Sequence, residues 1–182
     1  MKKNALTALG LALALFAIAP STHARALVGA GSQEIAASGM LDFASEVGTQ
    51  TSLDARYSYF VVDQFSIGAG GGFSDNDYAT QIRLGFVAEW NFLLSDDYRP
   101  LIGTDFVPFI GGGVGLQYTD SDDDDVMAGV LSGEVGTKFF LADDFALTAS
   151  CLGQLASDDI FMNDRKASSA DISLRLGMRF YF

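Results

Sequence analysis

Ile172-Ser173-Leu174-Arg175-Leu176-Gly177-Met178-Arg179-Phe180-Tyr181-Phe182 ends the chain, and its even positions are all large and apolar. The odd positions are Ser, Arg, Gly, Arg and Tyr. Successive side chains of a β-strand point to opposite faces, so a period of two describes an extended strand with one greasy face and one charged face. In a membrane barrel the greasy face meets lipid and the charged face is enclosed in a polar interior. A soluble antiparallel sheet has the opposite preference, with apolar residues packed inside and charges in water. An inside-out, lipocalin-like barrel secreted as a soluble ligand binder is therefore the main rival.

The same alternation recurs upstream. Seven further segments are expected at about 34–43, 52–61, 65–73, 80–92, 104–118, 130–141 and 145–155, with the eighth starting near Ala170. In the second, Leu53, Ala55, Tyr57, Tyr59 and Val61 alternate with Asp54, Arg56, Ser58 and Phe60. In the fourth, Ile82, Leu84, Phe86, Ala88, Trp90 and Phe92 oppose Gln81, Arg83, Glu89 and Asn91. Gly111 to Gly113 blur the faces of the fifth, where Phe106, Ile110, Val114, Leu116 and Tyr118 are assigned outward. The expected fold is all-β: an eight-stranded antiparallel up-and-down transmembrane β-barrel. An even strand count returns both ends to one side, which in bacterial barrels is the periplasm, with its short turns. The turns near Asp63, Asp97 and Asp143 then lie in the periplasm, and the loops near Glu46, Asp75, Asp123 and Asp159 lie outside. Aromatic residues follow this division. Tyr59, Phe65, Trp90, Phe92, Phe106, Phe139, Phe145, Phe180 and Phe182 collect at the periplasmic ends, and Phe43, Phe73, Tyr78 and Tyr118 at the other. Membrane interfaces gather such residues into two belts.

The amino terminus carries an export address. Lys2 and Lys3 precede an uncharged Ala/Leu-rich stretch that ends at Pro20, followed by Ala24-Arg25-Ala26. A basic segment, an apolar segment and a small-x-small site make a secretory signal peptide. Residues 1–26 are expected to be removed, leaving 27–182 as one barrel domain. Without Lys2, Lys3 and Arg25 the remaining chain has 8 basic and 23 acidic residues, a net charge of −15. That acidity argues against nucleic-acid binding, which needs a basic patch. Hydrophobic content is 49%, yet no mature segment has the run of about 18 apolar residues that a membrane helix needs. Cys151 is alone, so an exported chain of this kind must be held by something other than disulfides. A closed ladder of backbone hydrogen bonds serves.

Together these segments resemble the small eight-stranded outer-membrane β-barrels of Gram-negative bacteria, the OmpA/OmpX-like group. The closing stretch 173–182 is similar to the C-terminal signal read by the barrel-assembly machinery, alternating hydrophobics that finish on aromatics, here Phe180 and Phe182. Val107-Pro108-Phe109-Ile110-Gly111-Gly112-Gly113-Val114-Gly115 resembles the Pro-aromatic, Gly-rich fifth strand of that group. The resemblance implies insertion into the outer membrane, contact with its lipid and lipopolysaccharide, periplasmic termini and surface loops; it fixes no single activity. It is not expected to extend to cell-wall tethering, since the long soluble peptidoglycan-binding domain is not seen in the sequence.

The only histidine, His23, falls in the leader. Catalytic triads, Cys–His pairs and histidine-ligated zinc are thereby removed from the mature chain. No catalytic residues and no cofactor are expected. Cys151 falls on the lipid-facing parity, where a thiol is a small hydrophobe. Glu34, Asp54, Arg56, Arg83, Glu89, Glu134, Lys138, Arg175 and Arg179 fall on the inward parity, as do Asp42 and Asp171. An eight-stranded barrel is just wide enough for side chains to fill, and buried charges are costly unless paired. The two signs are expected to neutralise each other across the lumen as a polar plug; a narrow ion or small-solute path is the alternative. The run Asp120-Ser121-Asp122-Asp123-Asp124-Asp125 is the weak cation candidate, through Asp122, Asp123, Asp124 and Asp125. It lacks the spacing of an EF-hand loop and reads first as a solvated charge run. The expected role is envelope structure or surface interaction by a monomer without enzymatic activity.

Overall fold

The structure, a computed structural model, describes residues 27–42, 50–75, 79–93, 105–121, 125–163 and 166–182. The expected leader (residues 1–26), Phe43, Glu46, Tyr78, Asp97 and Asp122 to Asp124 lie outside the described residues. Among the described residues ten strands form: β1 Gln33–Asp42, β2 Gln50–Val62, β3 Phe65–Asp75, β4 Ala79–Asn91, β5 Asp105–Ser121, β6 Val126–Ala142, β7 Phe145–Ala156, β8 Phe161–Asn163, β9 Lys166–Ser168 and β10 Ala170–Tyr181. Eight of them close into one barrel in the order β1-β10-β7-β6-β5-β4-β3-β2, every neighbour antiparallel. The closing seam joins β1 to β10, with Gln33 N donating to Phe182 O at 2.8 Å and Phe182 N to Gln33 O at 3.1 Å.

The outward parity is the exposed one. Ile172, Leu174, Leu176 and Phe86 are each more than 70% exposed, although they are among the most apolar residues of the chain. Glu34 and Lys138 are completely buried. A soluble inside-out barrel is overturned on this geometry: it would put a continuous apolar wall in water and its ions in the core. Three cross-strand aromatic pairs ring one end of the outer face. Phe65 stacks with Trp90 at 5.8 Å, Phe106 with Phe139 at 5.3 Å and Phe145 with Phe180 at 5.0 Å between ring centroids. Each pair is in direct register across its two strands.

The two hairpins at that end repeat one device. The register slips between Phe60 and Val62, and again between Phe140 and Ala142. A β-bulge of this kind bends a strand and re-aims its side chains; Phe60 and Phe140 both end with no exposed surface. Gln64 takes a left-handed conformation (φ 68°) in the tight turn that follows the first bulge.

Several expected boundaries move. β5 and β6 are 17 residues each, longer than the spans 104–118 and 130–141 expected for them. Val126 to Gly129 pair with Leu116 to Thr119 and so extend the β5–β6 wall beyond the expected segments. The alternation there is short and abuts the acidic run, so local pattern alone does not register it. The β8–β9 pair was not expected either; Phe161, which opens β8, and Ile160 just before it look like loop residues until the barrel mouth offers them a place to bury.

Candidate functional site

The lumen is stacked in tiers, each set by the level at which strands come into register. At the end that carries both chain termini, Val28, Phe60, Val107, Phe140, Ala146 and Tyr181 form an apolar floor, none more than 3% exposed. Val28 arrives from the segment before β1, which folds under the barrel. Gln64 N donates to Val28 O at 2.8 Å, and Ala30 N donates to Asp63 Oδ1 at 2.9 Å. Burying a side chain such as Phe or Val fully contributes about 1.5–3 kcal/mol, so this floor is a substantial share of the barrel's cohesion.

The main ionic tier lies above it. Glu34 and Glu89 occupy the centre. Lys138 Nζ stands 2.9 Å from Glu34 Oε2 and 2.6 Å from Glu89 Oε1. Arg179 Nη1 is 2.8 Å from both Glu34 Oε1 and Glu89 Oε2. Arg56 Nη2 is 3.2 Å from Glu34 and 2.8 Å from Glu89, while its Nη1 reaches Glu134 at 3.6 Å. Ser150 Oγ donates to Glu134 at 2.7 Å. Three carboxylates thus face three cations. The tier also leans on aromatic faces: Lys138 Nζ is 5.5 Å from the Phe109 and Tyr181 ring centroids, and the Arg179 guanidinium is 4.6 Å from that of Phe109. Cation–π attraction strengthens as water is excluded.

The next tier holds Asp54, Arg83 and Arg175. Asp54 Oδ1 accepts from Arg83 Nη2, and Asp54 Oδ2 lies 3.1 Å from Arg175 Nη1. Asp54 on β2 and Arg83 on β4 both pair with Gly72 of the intervening strand. A Cβ at Gly72 would fall on the Asp54 carboxylate, so this glycine leaves the room in which the pair meets. Asp171 is half-buried in β10. Nearer the mouth, Gln117 Nε2 donates to Gln81 Oε1 at 3.0 Å, and Gln81 Nε2 to Ile160 O at 3.1 Å. Ile160 and Phe161 then pack with Ala128 and Val130 into a second buried apolar cluster.

Nine of the eleven charges assigned inward from the sequence therefore meet in the lumen in two clusters, and among the described residues Asp171 is not ion-paired in either. The side chain of Asp42 lies outside the described residues. Asp125 is exposed, and among the described residues no group of acids is arranged to hold a metal. Phe180 and Phe182 are on the outer face, each about half exposed. The alternation did not foretell the two apolar clusters. The inward parity of Phe60, Phe109, Phe140 and Tyr181 was available as a signal, whereas the infolding of Val28 and of Ile160–Phe161 had none.

This fold and lumen define a class: a transmembrane, eight-stranded up-and-down β-barrel filled with paired charges. No known family profile and no curated protein sequence matches the chain. Solved structures do. The N-terminal β-barrel domain of Pseudomonas aeruginosa OprF superposes with a TM-score of 0.62 at 19% identity, covering 85% of this chain and 99% of that one. Neisserial surface protein A gives 0.54 at 16% identity, over 83% and 96%. The outer membrane protein OprG of Pseudomonas aeruginosa gives 0.50 at 14% identity, over 88% and 98%. The fold is that of the small eight-stranded outer-membrane β-barrels.

Proposed function

We propose that the protein is a non-enzymatic, non-conducting scaffold of the outer membrane that stiffens the envelope and presents acidic loops at the cell surface. The observation that carries this is the closure of the lumen at one end by an apolar floor, beneath an ionic middle whose carboxylates and cations pair. An ion entering from the periplasm meets Phe60, Val107, Phe140 and Tyr181 rather than water. Five cations face the lumen against Glu34, Asp54, Glu89, Glu134 and Asp171, so the excess acid of the mature chain belongs to its loops and rims. Besides Arg56, Arg83, Lys138, Arg175 and Arg179, the mature sequence has only Arg99, Arg165 and Lys166 as cations. A surface of that sign suits bridging by divalent cations to the phosphates of lipopolysaccharide. The absence of histidine from 27–182 supports a non-enzymatic role.

In this proposal residues 1–26 are the export signal, both mature ends are periplasmic, and the strand ending in Phe180 and Phe182 is what the assembly machinery takes up. The barrel works as a monomer. The test is conductance of the refolded 27–182 protein in planar bilayers. No current steps are expected from it, and a leak is expected from Phe60→Ala, which removes the centre of the floor. Stable steps from the unmodified protein would refute the scaffold and favour a narrow channel.

A further inference from the structure

We propose that the outer half of the lumen is a binding site for a small free oxyanion, held between the guanidiniums of Arg83 and Arg175. A cavity of ≈ 110 Å³ opens in the barrel beside these residues. Its shape follows from an uneven wall. One side is built of β3 to β5, whose inward positions include Gly70, Gly85 and Gly111, and the other carries the long side chains of β2 and β10. Inward glycines of a strand leave space for something else to approach the backbone closely. Requiring room for one probe sphere of about 10–15 Å³ per water, the space accepts a tetrahedral or planar oxyanion with part of its hydration.

The charge around the cavity calls for an anion. Arg83 and Arg175 share one carboxylate, Asp54, which spends one oxygen on each. Each guanidinium has five N–H donors in a planar fork, so most of them remain for another acceptor. Asp171 lies on the same face of β10 as Arg175, but among the described contacts it is within ion-pair distance of neither guanidinium. Arg56 also lines the cavity, and its Nε is buried with no hydrogen-bond partner in the structure. Four guanidiniums, those of Arg56, Arg83, Arg175 and Arg179, line the cavity against only the carboxylates of Asp54 and Glu134, an excess of cations that an added anion offsets. Guanidiniums take carboxylate and phosphate in paired, in-plane hydrogen bonds. The site lies inside the wall, so its ligand is a free anion and not a lipid headgroup.

Isothermal titration of sodium phosphate into the 27–182 protein, refolded in dodecyl maltoside, tests this. Ionic strength is held constant with sodium chloride, and the detergent brings no phosphate headgroup. A saturable, single-site heat is expected. Arg175→Gln should weaken it at least tenfold with the barrel still folded, as read from heat-modifiable migration on gels. Asp54→Asn should tighten it, because it releases both forks; this variant decides alone if Arg175→Gln does not fold. No saturable heat in the unmodified protein overturns the site, and so does an affinity that Asp54→Asn leaves unchanged. The titration does not depend on conductance or on cellular location, so the scaffold proposal and this one fail separately.

Discussion

Replacing Lys138 by Met removes the one cation of the ionic tier that has no exposed surface at all. Met matches the stem of lysine but leaves Glu34 and Glu89 without the contacts at 2.9 and 2.6 Å. Breaking a buried ion pair by deleting one partner costs about 3–5 kcal/mol, because the surviving charge stays buried. Here each carboxylate retains Arg179 at 2.8 Å and Arg56 at 3.2 or 2.8 Å. The low end, about 3 kcal/mol, is therefore expected for Lys138→Met. With a urea dependence of about 1–3 kcal/mol per molar, the unfolding midpoint should fall by about 1–3 M. The assay is reversible urea unfolding in phospholipid vesicles, followed by tryptophan emission from Trp90. The double variant Lys138→Met/Glu89→Gln removes one charge of each sign and should recover to within about 1 kcal/mol of the parent, which shows as strong non-additivity. A single variant within about 0.5 kcal/mol of the parent, the range typical of surface substitutions, would refute the claim that the tier is a desolvated, charge-matched unit. A double variant equal to the sum of its singles would do the same.

Leu174→Arg should destabilise the barrel in vesicles by about 2–4 kcal/mol, the cost of a cation on the lipid face near mid-membrane; the same vesicle titration reads it, and a neutral result would mean that Leu174 faces water. Among the glycines, Gly85 and Gly133 should part company. A Cβ at Gly85 would come within 2.7 Å of the Val114 carbonyl and 3.1 Å of Gly115 Cα, so Gly85→Ala should cost about 1–3 kcal/mol as β4 and β5 are forced apart. Nothing lies within 4 Å of a Cβ at Gly133, so Gly133→Ala should be neutral or stabilise by up to about 1 kcal/mol. Equal losses at both positions, measured by thermal midpoint of the heat-modifiable band, would contradict this.

The alternation was legible because it is a local property. Which way a side chain points depends on the parity of its own strand and on nothing further along the chain. Ile172, Leu174 and Leu176 could thus be placed on the lipid side, and Arg175 and Arg179 in the lumen, before any partner was known. The tight turns at Asp63 and Asp143 were equally readable, since each separates two alternating runs by two or three residues. Where glycines removed the pattern, as in Gly111 to Gly113, the faces of β5 could be assigned only from the residues on either side.

Contacts in the lumen belong to a different order of information. Glu34 and Lys138 are 104 residues apart, and Glu34 and Arg179 are 145 apart; they meet because closure and register bring distant strands to one level. A shift of two residues at the β1–β10 seam would keep every parity and change every pairing. The apolar clusters depend on the same three-dimensional fact. Val28 and Ile160–Phe161 lie outside the barrel strands that alternate, and only a finished ring with an open mouth at each end gives them something to bury against. Alternation is written in each strand separately, whereas the floored lumen and its paired charges exist only once eight strands share one circumference.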